Sequence, residues 1–135
     1  MTLTLDQLAE KLRDLDAVGV EIAEEALPEV LAAARKTAAA GTDPYGAAWP
    51  LTKKDDRRAL PEAASAISAT VGGLTSAVLV LVVKGIYAIH NYGAGKRLPK
   101  RQILPTGDAG LPAEMVTALR AATKRVLDRR VRGAS

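Results

Sequence analysis

The sequence predicts an α+β fold, with long N-terminal helices packed on a small, mainly antiparallel sheet and a basic C-terminal helix. Three observations carry that expectation. Apolar residues recur at helical spacing over roughly the first forty positions. Two β-branched runs flank Gly72-Gly73, and an arginine-rich amphipathic pattern closes the chain.

Thr4 can cap the first helix, with Gln7 three residues on as its capping-box partner. Leu5, Leu8, Leu12 and Leu15 then share one helical face. Gly19 weakens the pattern and Asp16 is placed to cap a second helix, whose apolar residues include Ile22, Ala23, Ala26, Leu27, Val30, Leu31 and Ala34. Pro28 is expected to kink that run or to start a new segment, because it lacks an N–H and its ring crowds the preceding turn. Gly41 suits the left-handed residue that ends a helix.

Residues 41–61 read as a surface loop or arm, with three prolines and a mixed-charge cluster at 53–58, and Asp43–Leu60 is expected to be mobile in the free subunit and ordered on docking. Trp49 within it either anchors the loop to the domain's own core or anchors a neighbouring subunit, since Trp is favoured at interface hot spots. From Ser65 to Val71 the residues alternate as in a half-buried strand, and Gly72-Gly73 predicts a two-residue hairpin turn. The strand after it ends in Val78-Leu79-Val80-Leu81-Val82-Val83, apolar on both faces and expected to be covered on both. One face is expected to meet the long helix and the other a neighbouring subunit, because an exposed apolar strand invites aggregation. Residues 86–92 suit a short helix closed by Gly93. Gln102-Ile103-Leu104, between Pro99 and Pro105, can form a short edge strand. Pro112 suits the first turn of the last helix, whose apolar face carries Met115, Val116, Leu119, Ala122 and Val126.

The apolar fraction of 48% is that of a globular chain, but it is built from Ala, Val and Leu, with one Trp, three Tyr and no Phe. Small side chains bury less area each, so the core of one subunit is expected to be modest, with further stability from contacts between subunits. The absence of cysteine excludes disulfides and thiolate metal sites. No basic, cleavable leader opens the sequence, and its longest apolar run falls far short of the ~20 residues a membrane span needs. A soluble protein with no membrane association, made in a reducing cytoplasm, is the expectation.

The net charge of +4 conceals an asymmetry. Residues 1–35 hold eight acids against three bases, a net of −5, and residues 84–135 hold eleven bases against three acids, a net of +8. Three readings stand: a nucleic-acid surface, head-to-tail pairing of one subunit's acidic end with the next one's basic end, or solvated helix faces of opposite sign.

Two segments about forty residues apart, Asp43-Pro44-Tyr45-Gly46-Ala47-Ala48-Trp49-Pro50-Leu51-Thr52 and Ile86-Tyr87-Ala88-Ile89-His90-Asn91-Tyr92-Gly93, the latter followed by Leu98-Pro99-Lys100-Arg101-Gln102-Ile103-Leu104-Pro105, carry the most information. In this order, after a long helix and before a closing one, they resemble the phage virion morphogenesis family, which includes tail completion proteins of Mu-like contractile-tailed phages. The resemblance runs from about residue 25 to the end, and departs from the family pattern where Gln102-Ile103 replaces the usual aromatic after the arginine. It implies a structural virion protein of the phage neck or tail end (tail completion, tail terminator or head-tail joining), assembled as an oligomeric ring. Implied partners are further copies of the chain and other neck or tail proteins such as the connector, tail tube or sheath, with non-specific DNA contact in the channel as an option. The location implied is the virion, and the host cytoplasm during assembly. Candidate interface residues are Tyr45 and Trp49 in the loop, Val78, Val80 and Val82 on the strand, Tyr87 on the short helix, and Lys96, Arg97, Lys100 and Arg101 in the basic segment.

Catalysis is not expected, and neither is a cofactor or a metal. The single histidine, His90, has no nucleophile-elbow motif to serve, and no glycine-rich stretch has phosphate-loop spacing. One His and no Cys leave no zinc ligand set. The four charges at Lys96, Arg97, Lys100 and Arg101 can be a solvated loop, can meet a neighbour's acids such as Glu21, Glu24 and Glu25, or can meet DNA phosphates. The alternative function is a small basic protein that binds nucleic acid non-specifically, motivated by the Lys/Arg-rich C-terminus.

Overall fold

A computed structural model describes residues 2, 4–52, 59–73, 77–93 and 100–133. Helix α1 (Leu5–Ala40) opens it, capped by Thr4 and Gln7 in the expected reciprocal box and ended by Gly41 in the left-handed conformation (φ 74°, ψ 31°). At 36 residues it spans about 54 Å. A 3-10 turn (Ala63–Ala66) leads into strand β1 (Ile67–Gly72), which pairs antiparallel with β2 (Val78–Val83). Helix α2 (Tyr87–Tyr92), a second 3-10 turn (Gly107–Ala109) and helix α3 (Ala113–Gly133) complete the chain. The architecture is the expected α+β, with α1 and α3 packed side by side and the hairpin laid against α1.

The core is small in the way the composition implied. Its members are Ala26, Val30, Ala33, Ala34 and Ala38 of α1, Ala118, Ala122 and Met115 of α3, and Trp49, Ala63, Ile67 and Ile103 between them. Alanine lets two helices approach closely, but its burial contributes little per residue, so the few larger side chains carry much of the hydrophobic stabilisation.

Four local expectations are corrected. The two N-terminal helices are one. Pro28 removes only the bond to the carbonyl four residues earlier, and buried Ala26 and Val30 hold the helix on either side of it. The hairpin does not turn at Gly72-Gly73, since Gly72 pairs with Val78 and five residues intervene. This register sets Ile67, Ala69 and Val71 opposite Val83, Leu81 and Leu79, gathering the core-facing side chains on one face. A two-residue turn would change the pairing parity and put β2's valines there instead. Strand β1 begins two residues later than its alternation suggested, because Ser65 and Ala66 belong to the 3-10 turn. Residues 102–104 form no strand. The N–H groups of Ile103 and Leu104 donate instead to the side-chain Oδ1 of Asn91, at 2.8 and 2.9 Å.

Candidate functional site

The two segments that carry the family resemblance converge on each other. Asp43 opens the first: its Oδ1 accepts from the backbone N–H groups of Tyr45 and Ala47, both at 2.9 Å, and Gly46 supplies the positive φ of 97° that the tight loop requires. An isolated bridge between Thr42 and Ala48 closes the loop and delivers Trp49 into the core. There the indole Nε1 donates to the Gln102 carbonyl at 2.9 Å. In return Arg101, only 6% exposed, donates from Nε to the Pro50 carbonyl and from Nη2 to the Leu51 carbonyl. The Arg101 N–H donates to the His90 carbonyl, tying α2 to the same unit. His90 Nδ1 is buried with no hydrogen-bond partner among the described residues, and burial, then the Arg101 charge, holds its pKa below the usual histidine value.

The structure therefore separates the predicted interface residues into two groups. Trp49 takes the first of its two readings and anchors its own loop to its own core. Tyr87 is half-buried against that core. Arg101 was expected in a basic loop facing a neighbour or DNA. It is instead a buried clamp, because its fork of donors satisfies two carbonyls that the prolines and the turn leave without strand partners. Residues 41–52 form a packed, hydrogen-bonded loop. The charged cluster at 53–58, and Lys96 and Arg97, lie outside the described residues. Lys100 is exposed, and Tyr45 is 41% exposed with its hydroxyl donating to the Gly110 carbonyl.

The strand β2 is not covered on both sides within the subunit. Leu79, Leu81 and Val83 pack against the core, whereas Val78, Val80 and Val82 are 44%, 39% and 45% exposed. Their cross-strand partners on the outer face are Gly72, Thr70 and Ser68. The leucines of the N-terminal half of α1 are the second exposed apolar row: Leu5, Leu8, Leu12 and Leu15 stand 84%, 44%, 54% and 66% exposed. Their spacing was legible as a helical face, but nothing in it told that α1 outruns the elements it packs on.

Part of the opposed charge of the two ends is paired within one subunit. Arg125 pairs with Glu25 and Glu29, Arg129 with Glu21 and Glu25, and Arg130 with Glu21, at 2.9–3.4 Å, all within one subunit. The hydrogen bonds from Arg129 and Arg130 lower the Glu21 pKa, and that from Arg125 lowers the Glu25 pKa. Antiparallel packing brings the basic end of α3 beside the middle of α1, so much of the opposed charge is neutralised internally. Glu21 and Glu25, which were candidates to meet a neighbour's basic segment, already have partners. Asn91 is the residue the sequence did not single out; buried and accepting two backbone N–H groups, it orders the stretch behind Arg101.

An apolar cleft of about 300 Å³ lies between α1, β2 and α3, lined by Val30, Leu79, Leu81, Leu104, Met115 and Leu119 among others. Among the described residues its lining side chains are all apolar. Among the described residues no group of three or more His, Cys, Asp or Glu could hold a metal, and no helix is long and apolar enough to cross a membrane. No family model, curated protein or solved structure matches the chain.

Proposed function

We propose that this chain is a structural subunit of a phage-type particle, acting at the neck or tail end as a member of an oligomeric ring. It joins or finishes the particle by binding, with other copies of itself and other neck or tail proteins as partners, in the virion and in the host cytoplasm during assembly. The observation that carries the reading is the convergence of the two resemblance segments. Trp49 bonded to the Gln102 carbonyl, and Arg101 bonded to those of Pro50 and Leu51, make the two segments a framework that holds the loop to the core. Side chains used this way specify a scaffold, and a scaffold with exposed apolar rows works by being covered.

The rows of valine and leucine support the same reading. A short hairpin whose outer face is half valine is an association surface unless a partner covers it. The nucleic-acid alternative loses its main motive, because Arg125, Arg129 and Arg130 are already paired with acids of α1. Omitting the protein from assembling particles and viewing the products by negative-stain microscopy tests the proposal. Unjoined heads and tails, or tails of irregular end structure, are expected. Complete, infectious particles formed in its absence would overturn it.

A further inference from the structure

We propose that the exposed leucine row of one copy lies on the exposed valine row of the next, so that residues 5–16 of α1 act as an arm that links neighbours head to tail. The inference rests on the ring reading above and names the contact that builds the ring.

The arm cannot satisfy itself. Arg130 near the end of α3 is already level with Glu21, and the hairpin approaches α1 at Gly19, where an added methyl would lie 3.4 Å from that of Ala77. The helix continues past both as an unbroken rod with Leu5, Leu8 and Leu12 exposed, while Leu15 stands at the lip of a groove shared with Ala77, Leu79 and Leu119. It packs on the core-facing side of the hairpin, whereas the valines face away. A continuous helix cannot turn back onto them, so the arm of the same copy cannot cover the valine row.

A second copy fits that row in length, pattern and charge. Twelve helical residues span about 18 Å and six strand residues about 20 Å. Leucines at i, i+3, i+7 and i+10 form a ridge of the kind that packs on an apolar surface. By strand alternation the valine row runs Val78, Val80, Val82 and then exposed Lys84, whose N–H still bonds the Ala66 carbonyl and so keeps the ladder's geometry. The arm carries Asp6, Glu10, Asp14 and Asp16 against Lys11 and Arg13, a net of −2. The acids further along, Glu21, Glu25 and Glu29, are consumed by α3, which leaves the arm's own carboxylates to meet Lys84. Each copy has one arm and one valine row, so a contact between them is heterologous and propagates from copy to copy until the rotation closes a ring.

The chain has no cysteine, which makes the contact directly readable. L12C and V80C are purified separately in the full chain, mixed, and treated with a short bismaleimide. A crosslinked dimer is expected from the mixture and not from either variant alone, and a chain carrying both substitutions should give a ladder of multimers. L8D added to the L12C/V80C chain is expected to abolish the ladder, and L12D alone to weaken self-association at least tenfold by sedimentation, both leaving the helical circular dichroism unchanged, since Leu8 and Leu12 are outside the core. L12C crosslinking to itself would make the arms pair with each other and overturn the proposal. L12C crosslinking to L119C would put the arm in the apolar cleft and overturn it equally. If wild-type protein sediments as an oligomer but no L12C–V80C product forms, this contact is wrong and the ring reading stands. If it is monomeric at all concentrations and in the finished particle, the ring reading itself fails.

Discussion

The indole Nε1 of Trp49 donates a 2.9 Å hydrogen bond to the carbonyl of Gln102, 53 positions further along the chain. That bond, with the Arg101 guanidinium reaching back to Pro50 and Leu51, joins two loops that share no strand pairing. Trp49→Ala is expected to destabilise the subunit by about 3–5 kcal/mol through the cavity it leaves. Trp49→Phe keeps most of the apolar contact and orphans the Gln102 carbonyl, an expected loss of about 1–3 kcal/mol. Urea unfolding of both variants measures the difference. Equal, small effects would mean the loop is not held to the core through this residue.

Arg101 and Asn91 act on the same stretch from opposite sides. Arg101→Lys is expected to be about as damaging as Arg101→Met, roughly 1–3 kcal/mol, because an ammonium cannot reproduce the Nε and Nη2 fork that serves two carbonyls. Asn91→Leu removes the acceptor for two backbone N–H groups and should cost a similar amount. Rescue of stability by Lys at 101 would show that its charge, and not its geometry, is what counts.

Pro28 is itself exposed inside α1, and its ring denies the helix one internal bond. Pro28→Ala is expected to raise stability, by up to about 3 kcal/mol, with no change in association. A lower Tm would mean that α3 and the hairpin pack on a bend that the proline creates.

Two pH windows are expected to be separable. His90 is held below its ordinary 6.5, so as the pH drops through 6.5 the unfolded chain takes up a proton that the folded state refuses; stability declines until the folded pKa is reached. His90→Gln should flatten that leg. Glu21 and Glu25 are held below 4.5, so their ion pairs contribute fully above that value and are lost as the pH falls through the lower folded pKa. A Glu21→Gln, Glu25→Gln double variant should lose the acid leg and much of the salt sensitivity of Tm, while a profile identical to wild type would show that the seam between α1 and α3 contributes nothing measurable.

What local chemistry governs was readable in the sequence. Thr4 and Gln7 capped α1 and Gly41 ended it because caps depend on a few adjacent residues. The class followed from periodicity, and the scarcity of large side chains was already visible in a core of mostly alanine. Only the tertiary structure decided the rest. Whether Pro28 breaks α1 depends on the packing at Ala26 and Val30. The hairpin register depends on which strand face meets α1, which is why Gly72-Gly73 misled. The role of Arg101 depends on carbonyls fifty residues away that periodicity cannot see. The same is true of charge. Composition recorded an acidic beginning and a basic end, but antiparallel packing of α3 on α1 brought Glu21 to Arg129 and Arg130. Sequence determines which groups are present and what each favours locally; long-range contact decides which of them are spent within the fold and which, like the leucines of α1 and the valines of β2, are left facing outward.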